Sequence, residues 1–554
     1  MYDFLKNINP KKLNLSSLRE VVVLLLNKLE EYFQKEEDYK KEVQSLKDEI
    51  NRLKKEQGKP IFKAGKKPKE STEEGEAEKP KEGAKKRKRN NKKGRKNPNI
   101  PIDKIELCKL EKADLPADAV FKYYDPVIQQ DVDLVRNNVL YKVAVYYSPS
   151  LRKTFRGKLP EEYVGEFGLG IRSLTQLFHQ FCDTTQGRLE ALYKSLGVSI
   201  SSGTISNIVL SGKEWVLSEQ RAILKSGIAS SSFTQADSTK SVERGVRKAT
   251  QIICGEYFSV FYTMDSKSRL DVIRALLGKP EDLTVTYNET TIALLDKFKV
   301  SVADKATLET LFPIGQVMSL KAFEELLKQK APKLNAKKNI STRIKESLVL
   351  GYYHHQQDFP IVNWLLSDDA PEYTKIASQR HGLCWIHDNR FYKKLVPRID
   401  SHRVILEELQ QEYWVFYAQL LDYKELTVAE QKLHKKVLLK EFERIFSQKT
   451  DYFQVNTCLE RTYKNKAKLL AVLDNPALSL HNNAAELEAR RIVRKRDISL
   501  HTWSAEGTKV RDAFMSIIQT AQKLNVSPLL YIKDRISQRY EMPPLHVLVA
   551  RAYM

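Results

Sequence analysis

The sequence predicts a multidomain protein with an N-terminal coiled coil, a helical region and an α/β core that carries helical insertions. Three observations predict this class: a heptad repeat near the N-terminus, two helical patterns separated by a glycine, and three acidic residues in separate strand-like or helical settings. At 554 residues the chain is long enough for several domains, and its hydrophobic content of 42% supports at least one large core.

An apolar heptad repeat occupies the N-terminal region. Its positions alternate four and three residues apart and include one charged residue: Leu18, Val22, Leu25, Leu29, Tyr32, Glu36, Tyr39, Val43, Leu46, Ile50 and Leu53. A period of 3.5 residues sustained in this way is typical of helices that supercoil around each other. We therefore expect a coiled coil over residues 1–57 that makes the protein a homo-oligomer. The alternative is a long amphipathic helix docked on its own chain.

The overall charge favours a polyanionic partner. The formal net charge is +23 and the isoelectric point is near 9.4, which points to nucleic acid. A membrane is not expected, because no run approaches the ~20 apolar residues that span a bilayer. The five cysteines are scattered and include no CxxC pair, so we expect neither disulfides nor a cysteine-rich zinc site. The expected location is cytoplasmic and nucleoid-associated.

A dense basic run ends a polar segment. Residues 58–99 are rich in Lys, Glu, Gly and Pro and are expected to form a disordered linker. The run Ala84–Lys96 within it is expected to bind DNA phosphates without regard to sequence, through Lys85, Lys86, Arg87, Lys88 and Arg89. The alternative is a solvated linker.

Two helical patterns follow a small region, residues 100–165, that shows no clear period. Residues 166–225 predict a helix, a turn at Gly197 and a second helix capped by Ser201 or Ser202. This is the layout of a helix-turn-helix DNA-binding region, with Thr204, Ser206 and Asn207 at the end that usually contacts DNA. An ordinary helical hairpin satisfies the same pattern.

The α/β core is predicted over residues 226–525, with insertions at about 279–350 and 401–475 and a C-terminal tail at 526–554. A strand leads to Asp237, a hairpin turns at Gly255, and an amphipathic helix follows. A buried strand then ends at Asp368, and a later helix carries Glu486. This order is that of a ribonuclease-H-like core.

The three acidic residues are candidate metal ligands. Two carboxylates on strands and one on a helix can converge to bind two divalent ions. Two such ions are sufficient to catalyse the cleavage of a phosphodiester bond. Structural roles compete with this interpretation. Asp237 has the setting of a turn residue, and Glu486 has capping-box spacing from Asn483 and could pair with Arg490 one turn later.

Three stretches resemble the DDE transposases of the insertion-sequence-66 family. They are NNAAE at Asn482–Glu486 with Arg490 following, CWIHDNR at Cys384–Arg390, and TAQKLNVSPLLYI at Thr520–Ile532. Such enzymes cut transposon ends and join them to target DNA. One departure is that relatives often carry a Cys/His zinc cluster ahead of the helix-turn-helix, where this chain has only Cys108, so no zinc is expected there.

The resemblance implies that Asp237, Asp368 and Glu486 form a catalytic triad holding Mg²⁺ or Mn²⁺, as two ions. It implies DNA as the partner, both transposon ends and target, and leaves accessory proteins open. Arg490 is expected to bind DNA. His387, Asn482 and Asn483 are expected to hold the metal ligands in position without binding the metal themselves. We expect Asp368 rather than Asp369 to be the ligand, because DDAPEY then fits the family spacing to Tyr373.

Two other functions remain open from the sequence. The chain could be a non-catalytic DNA-binding protein derived from a transposase, or a metal-dependent nuclease without strand transfer. The three intact acidic residues argue against the first, and a joining assay distinguishes the second.

Overall fold

A computed structural model describes residues 15–53, 102–108, 121–132, 134–160, 163–377 and 380–554. Its contacts divide the chain into two units, one of residues 1–38 with 136–554 and one of residues 39–135. The sheet, the helix packing and the candidate site described below belong to the first unit. The basic run at Ala84–Lys96 lies outside the described residues, and so do the contacts expected of Lys85, Lys86, Arg87, Lys88 and Arg89.

Helices form most of the regular structure. In chain order they are α1 Leu15–Leu53, α2 Leu169–Gln180, α3 Gln186–Ser195, α4 Ser202–Leu210, α5 Lys213–Ser230, α6 Arg269–Leu276, α7 Glu289–Lys297, α8 Val302–Leu311, α9 Leu320–Lys330, α10 Pro332–Ala336, α11 Lys338–Tyr353, α12 Trp385–Lys393, α13 Asp400–Glu425, α14 Val428–Phe446, α15 Phe453–Lys464, α16 Lys466–Leu469, α17 Asn483–Ser499, α18 Ala505–Lys523, α19 Pro528–Ile536 and α20 Leu545–Ala552.

A mixed five-stranded sheet lies at the centre of the fold, in the order β5-β4-β3-β8-β9. The pairs β3–β4 and β4–β5 are antiparallel, whereas β8 runs parallel to both β3 and β9. Two small two-stranded sheets lie apart from it. The strands are β1 Val145–Ser148, β2 Lys153–Arg156, β3 Thr234–Glu243, β4 Val246–Cys254, β5 Ser259–Met264, β6 Thr284–Thr286, β7 Val317–Ser319, β8 Leu365–Ser367 and β9 His381–Leu383.

Both faces of this sheet are covered by helices. Successive side chains of a strand point to opposite faces, and in β4 both kinds of position are apolar. Ile253 joins the largest core with residues of α5 and α18. Ile252 instead packs in a smaller core with Ala485 and Ile492 of α17. Burial on both faces explains why every residue from Ala249 to Cys254 of β4 is buried.

A helical lobe, residues 400–473, follows α12. Its own core is built around aromatic side chains of α13 and α14, including Tyr413, Phe416 and Phe442. The fully buried Trp385 of α12 belongs to this core, and its indole nitrogen donates a hydrogen bond of 2.9 Å to the carbonyl of Leu469. The lobe is therefore packed onto the segment that leads out of β9.

The N-terminal helix docks on the helical lobe through polar residues. The buried carboxylate of Glu30 accepts hydrogen bonds from the backbone nitrogens of Arg398 and Ile399, and His402 lies 3.2 Å away. Asn27 donates to the carbonyl of Asp451 at 2.8 Å. The heptad positions lie on another face and stay exposed: Leu18, Val22, Leu25 and Leu29 each keep about half of their surface, 46–54%. A docked helix and exposed heptad positions from Leu18 to Leu29 thus occur together, and the coiled coil stays a prediction.

Charges placed on the heptad seam are expected to reduce self-association. Leu25→Glu with Leu29→Glu would bury two carboxylates in a coiled-coil interface, so the variant should sediment as a smaller species than wild type at the same concentration. Lys41→Glu changes the net charge by the same amount on an exposed position off the seam and should leave the sedimentation coefficient unchanged. Equal sedimentation of all three proteins would locate any oligomer interface elsewhere.

Several local predictions are confirmed. The β4–β5 hairpin turns after Cys254, the predicted helix after it runs from Arg269 to Leu276, and β8 ends immediately before Asp368. The strand predicted to end at Asp237 instead continues to Glu243, and residues 279–350, predicted as mostly helical, also contain the short pair β6–β7. No helix in the described ranges has the length and apolar character needed to cross a membrane.

Candidate functional site

The sheet register brings the two aspartates side by side. Thr234 pairs with Leu365 and Gln235 pairs with Leu366 in the parallel pair of β3 and β8. Two residues further on, the same register aligns Asp237 with Asp368. Neighbouring strands lie about 4.8 Å apart, so these carboxylates belong to one site at the C-terminal end of β8, where open α/β sheets bind their ligands.

Helix α17 adds the third carboxylate. Asp237 pairs across the antiparallel ladder with Ile252, so both side chains lie on the same face of the sheet. Ile252 packs against Ala485 of α17, the residue before Glu486. The start of this helix is tied to β3 by Asn482, whose side chain is fully buried and donates a hydrogen bond of 2.9 Å to the carbonyl of Ala236.

The electrostatics of Asp237 show that the three acidic groups are close. Burial raises the pKa of Asp237 to about 6, and the negative charges of Asp368 and Glu486 raise it as well. The backbone N–H of Ser238, 2.7 Å from the carboxylate, and the ammonium of Lys267 act in the opposite direction. The negative charges of Asp368 and Glu486 thus disfavour the ionised form of Asp237, and a bound cation would relieve this effect.

Glu486 is held by side chains from α12. Arg390 donates to both of its carboxylate oxygens, at 3.2 and 3.0 Å, and His387 Nδ1 lies 3.5 Å from Oε1. Burial and the positive charge of Arg390 lower the pKa of His387, while Glu486 and Asp368 raise it. The imidazole is therefore neutral at neutral pH. The capping box proposed from the sequence is not formed, because Asn482 precedes the helix and Asn483 is already its first residue.

Asp369 faces away from this cluster. Its carboxylate accepts hydrogen bonds from Arg461 at 2.9 Å and Asn465 at 3.0 Å, both in or next to α15 of the helical lobe. Arg461 also contacts Asp388 at 2.9 Å. Successive acidic residues thus have different partners: Asp368 belongs to the carboxylate site, and Asp369 anchors the lobe.

Two side chains near the site, Tyr373 and Arg390, were named from the sequence but were not assigned a role in the site. Tyr373 is 1% exposed, and burial raises the pKa of its hydroxyl well above its ordinary value, with a further contribution from Asp237 and Asp368. Arg390 was noted in the CWIHDNR stretch but not assigned to Glu486, which lies 96 positions along the chain. A local sequence pattern does not predict a contact between residues 96 positions apart.

The described residues that were predicted to contact DNA lie on two helices, α4 and α17. Helix α3, a turn at Gly197 and helix α4 form as predicted, and the Ser201 side chain accepts a hydrogen bond from the Thr204 backbone. Thr204 and Ser206 are half-buried, whereas Asn207 is exposed. Among the described residues, no hydrogen bond or ion pair joins these three to the triad. Arg490 and Asn483 are exposed on α17.

Removal of the Asp237 charge is expected to stabilise the metal-free protein. Because the folded-state pKa, about 6, exceeds the ordinary 3.8, stability is lost as pH rises from about 4 to 6, and the whole penalty is present above that range. Asp237→Asn should therefore raise the free energy of unfolding at pH 8 without divalent ions, by about 2 kcal/mol or less, and the gain should shrink towards pH 5. Chemical denaturation at both pH values measures this difference.

Asp304→Asn is the matched control. The pKa of Asp304 is lowered by hydrogen bonds from Lys337 and Ser301, so its charge stabilises the fold and its replacement should lower stability at pH 8. A loss of stability in Asp237→Asn as well would indicate that Asp237 has a structural role.

Clustered carboxylates at strand ends, on a chain with a net charge of +23, are typical of proteins that process nucleic acids with divalent metals. The family model described as "Transposase IS66 family" matches residues 354–510. An uncharacterized protein of Sinorhizobium fredii (strain NBRC 101917 / NGR234), y4jO, is 30% identical over 341 residues, which cover 59% of this chain and 99% of that protein. No solved structure matches the chain.

The chain belongs to the IS66 transposase family. The resemblance noted in the sequence is thereby confirmed. Membership in a transposase family makes the protein a nucleic-acid-processing enzyme in general terms and makes DNA its expected partner.

Proposed function

We propose that this protein is a DDE transposase that cleaves transposon ends and transfers the cut strands into target DNA, using divalent metal ions. The proposal is supported chiefly by the β3–β8 register, which aligns Asp237 with Asp368, and by the packing of the start of α17, which carries Glu486, against β3 and β4. The strand order β5-β4-β3-β8-β9, with two antiparallel pairs followed by two parallel pairs, supports a ribonuclease-H-like core.

The residues fit hard divalent ions. Carboxylate oxygens are the ligands that Mg²⁺ and Mn²⁺ prefer, and the site offers three carboxylates that repel one another. Two such ions would activate an attacking oxygen and stabilise the leaving oxygen of a phosphodiester. The triad would hold them, and Asn482 would fix the position of α17 relative to Asp237.

The remaining candidate residues would orient the site and bind DNA. His387 and Arg390 would set the direction of the Glu486 carboxylate, and the exposed Arg490 and Asn207 would contact phosphates or bases. The α3–α4 region would bind transposon ends. Protein side chains would mainly position phosphates, so no covalent protein intermediate is needed.

The test is a strand-resolved reaction of the full-length protein. Purified protein is incubated with DNA carrying the flanking ends of its own element, with Mg²⁺ or Mn²⁺ and a supercoiled target. Cleavage at the element's ends followed by covalent joining to the target is the expected result. Cleavage without joining would favour the nuclease, and specific end binding without any cleavage would favour the non-catalytic DNA-binding protein.

Deletion of Ala84–Lys96 is expected to weaken DNA binding broadly. The run carries nine Lys and Arg residues, and each phosphate contact contributes about 0.9 to the slope of log affinity against log salt. The slope should therefore fall by several units, whereas discrimination between sequences should change less. Deletion of residues 70–82 removes the same number of residues but only two lysines, Lys79 and Lys81, and should not lower the slope; an equal slope in both deletions would make the run a linker.

A further inference from the structure

We infer that Cys384, His387 and Glu486 form a binding site for a thiolate-preferring divalent cation of the zinc class. One donor atom from each residue lies within 4.8 Å of the other two. The sulfur and nitrogen donors come from the start of α12, and the oxygen donor comes from α17, about a hundred positions later. Sulfur, imidazole nitrogen and carboxylate oxygen together make a donor set that suits Zn²⁺ and Co²⁺ far better than Mg²⁺.

The sulfur donor, Cys384, immediately precedes α12, and the nitrogen donor, His387, lies in its first turn. His387 Nδ1 is buried and has no hydrogen-bond partner within the described part of the chain, although it points at Glu486 Oε1 from 3.5 Å. An unpaired buried nitrogen needs a physical explanation, and a cation between the two groups supplies one. Cys384 is 1% exposed, and its sulfur accepts the backbone N–H of Asn482 at 3.3 Å. Such a hydrogen bond stabilises a thiolate ligand.

The three donor atoms need to move only slightly closer together to bind one zinc ion. Zinc bonds of about 2.0–2.3 Å in a tetrahedron place ligand atoms roughly 3.5 Å apart, which is the observed separation of His387 and Glu486. Three protein ligands leave the fourth position open, and the partly exposed His387 and Glu486 side chains give access to it. Arg390 would keep its 3.0 Å contact with Glu486 Oε2 and give up its 3.2 Å hydrogen bond to Oε1 when Oε1 binds the cation.

The site shares Glu486 with the proposed catalytic ions. A zinc ion held by Cys384 and His387 would draw Oε1 of Glu486 towards α12 and away from Asp237 and Asp368. Zinc should therefore inhibit Mg²⁺-dependent cleavage. This consequence rests on the proposed function, whereas cation binding itself does not.

The test is a Co²⁺ titration of the metal-free, reduced full-length protein, followed by absorption and without DNA. Wild type is expected to bind one Co²⁺ with a thiolate-to-cobalt charge-transfer band, which Zn²⁺ removes and millimolar Mg²⁺ does not. Cys384→Ser should lose the band. Cys458→Ser is the matched control, since Cys458 is also buried but lies on α15, and it should retain the band.

The outcomes separate the possibilities. Absence of the band in wild type, or its persistence in Cys384→Ser, would overturn the proposal. If Cys384→Ser does not fold, His387→Ala decides: loss or a shift of the band supports the site, and an unchanged band with unchanged affinity rejects it. Because no DNA is present, failure of Co²⁺ binding is distinguishable from failure of the proposed cleavage.

Discussion

Asp368→Asn is expected to abolish strand cleavage, whereas Asp369→Asn is expected to leave substantial activity. The register of β3 and β8 aligns Asp368 with Asp237, and its charge acts on Asp237. An amide in place of this carboxylate removes a metal ligand, which should cost several kcal/mol of transition-state stabilisation, or about a thousandfold in rate or more.

Asp369 has a different set of contacts, and these predict a different phenotype. Its carboxylate binds Arg461 and Asn465, so Asp369→Asn weakens the attachment of the helical lobe. The pair is partly exposed, and Arg461 retains Asp388, which limits the expected loss to about 1 kcal/mol of unfolding free energy. Cleavage rates of both variants under identical Mg²⁺ conditions, with thermal unfolding as the folding control, test this. The reverse ranking would make Asp369 the ligand and would contradict the observed register.

The sequence predicted the places of Asp237 and Asp368 in the sheet because strand-like residues come directly before each of them. The apolar run before Asp368 is buried on both faces, and a strand of that kind ends where polar residues begin. The hairpin β4–β5 was predictable for a similar reason, since Gly255 separates two apolar runs. Asp237 was placed correctly on β3, but the polar second half of that strand was missed because it lacks the apolar residues that mark a strand.

Contacts between distant segments could not be predicted in the same way. Glu30 occupies a polar position of an amphipathic helix, which would ordinarily face solvent, yet it is buried against His402 and two backbone nitrogens. The contacts of Glu486 with His387 and Arg390 also depend on how α12 and α17 meet. The helical lobe lies between these two helices in the sequence, and no periodicity encodes its packing.

The three-residue strands show a further limit. Strands β6 and β7 are too short to display an alternating pattern and were absorbed into a region predicted as helical. Their pairing is set by the surrounding helices, since Val285 is buried in the core that also contains Leu348 of α11. Tertiary packing decides the conformation of such segments.

Glu486→Gln is expected to abolish cleavage and to leave the fold intact. The structure removes the main structural alternative, because α17 begins at Asn483 and no capping box forms. The other structural role is the ion pair between Glu486 and Arg390. The Arg390 side chain is 46% exposed, so the pair should contribute about 1 kcal/mol or less to the free energy of unfolding. Thermal unfolding of the variant should therefore resemble that of wild type, while the third carboxylate is missing from the site.

Glu488→Gln, two residues along the same helix, is the matched control. Glu488 is buried, accepts a hydrogen bond from Ser259 and pairs with Arg491, so its loss should lower stability more than that of Glu486. Because it lies away from the aspartates, its folded fraction should still cleave DNA. If Glu486→Gln cleaves normally and Glu488→Gln does not, the helix has been assigned the wrong carboxylate. If both variants cleave DNA normally, the two aspartates act without a metal ligand from α17, and the role of Glu486 is structural, through its ion pair with Arg390.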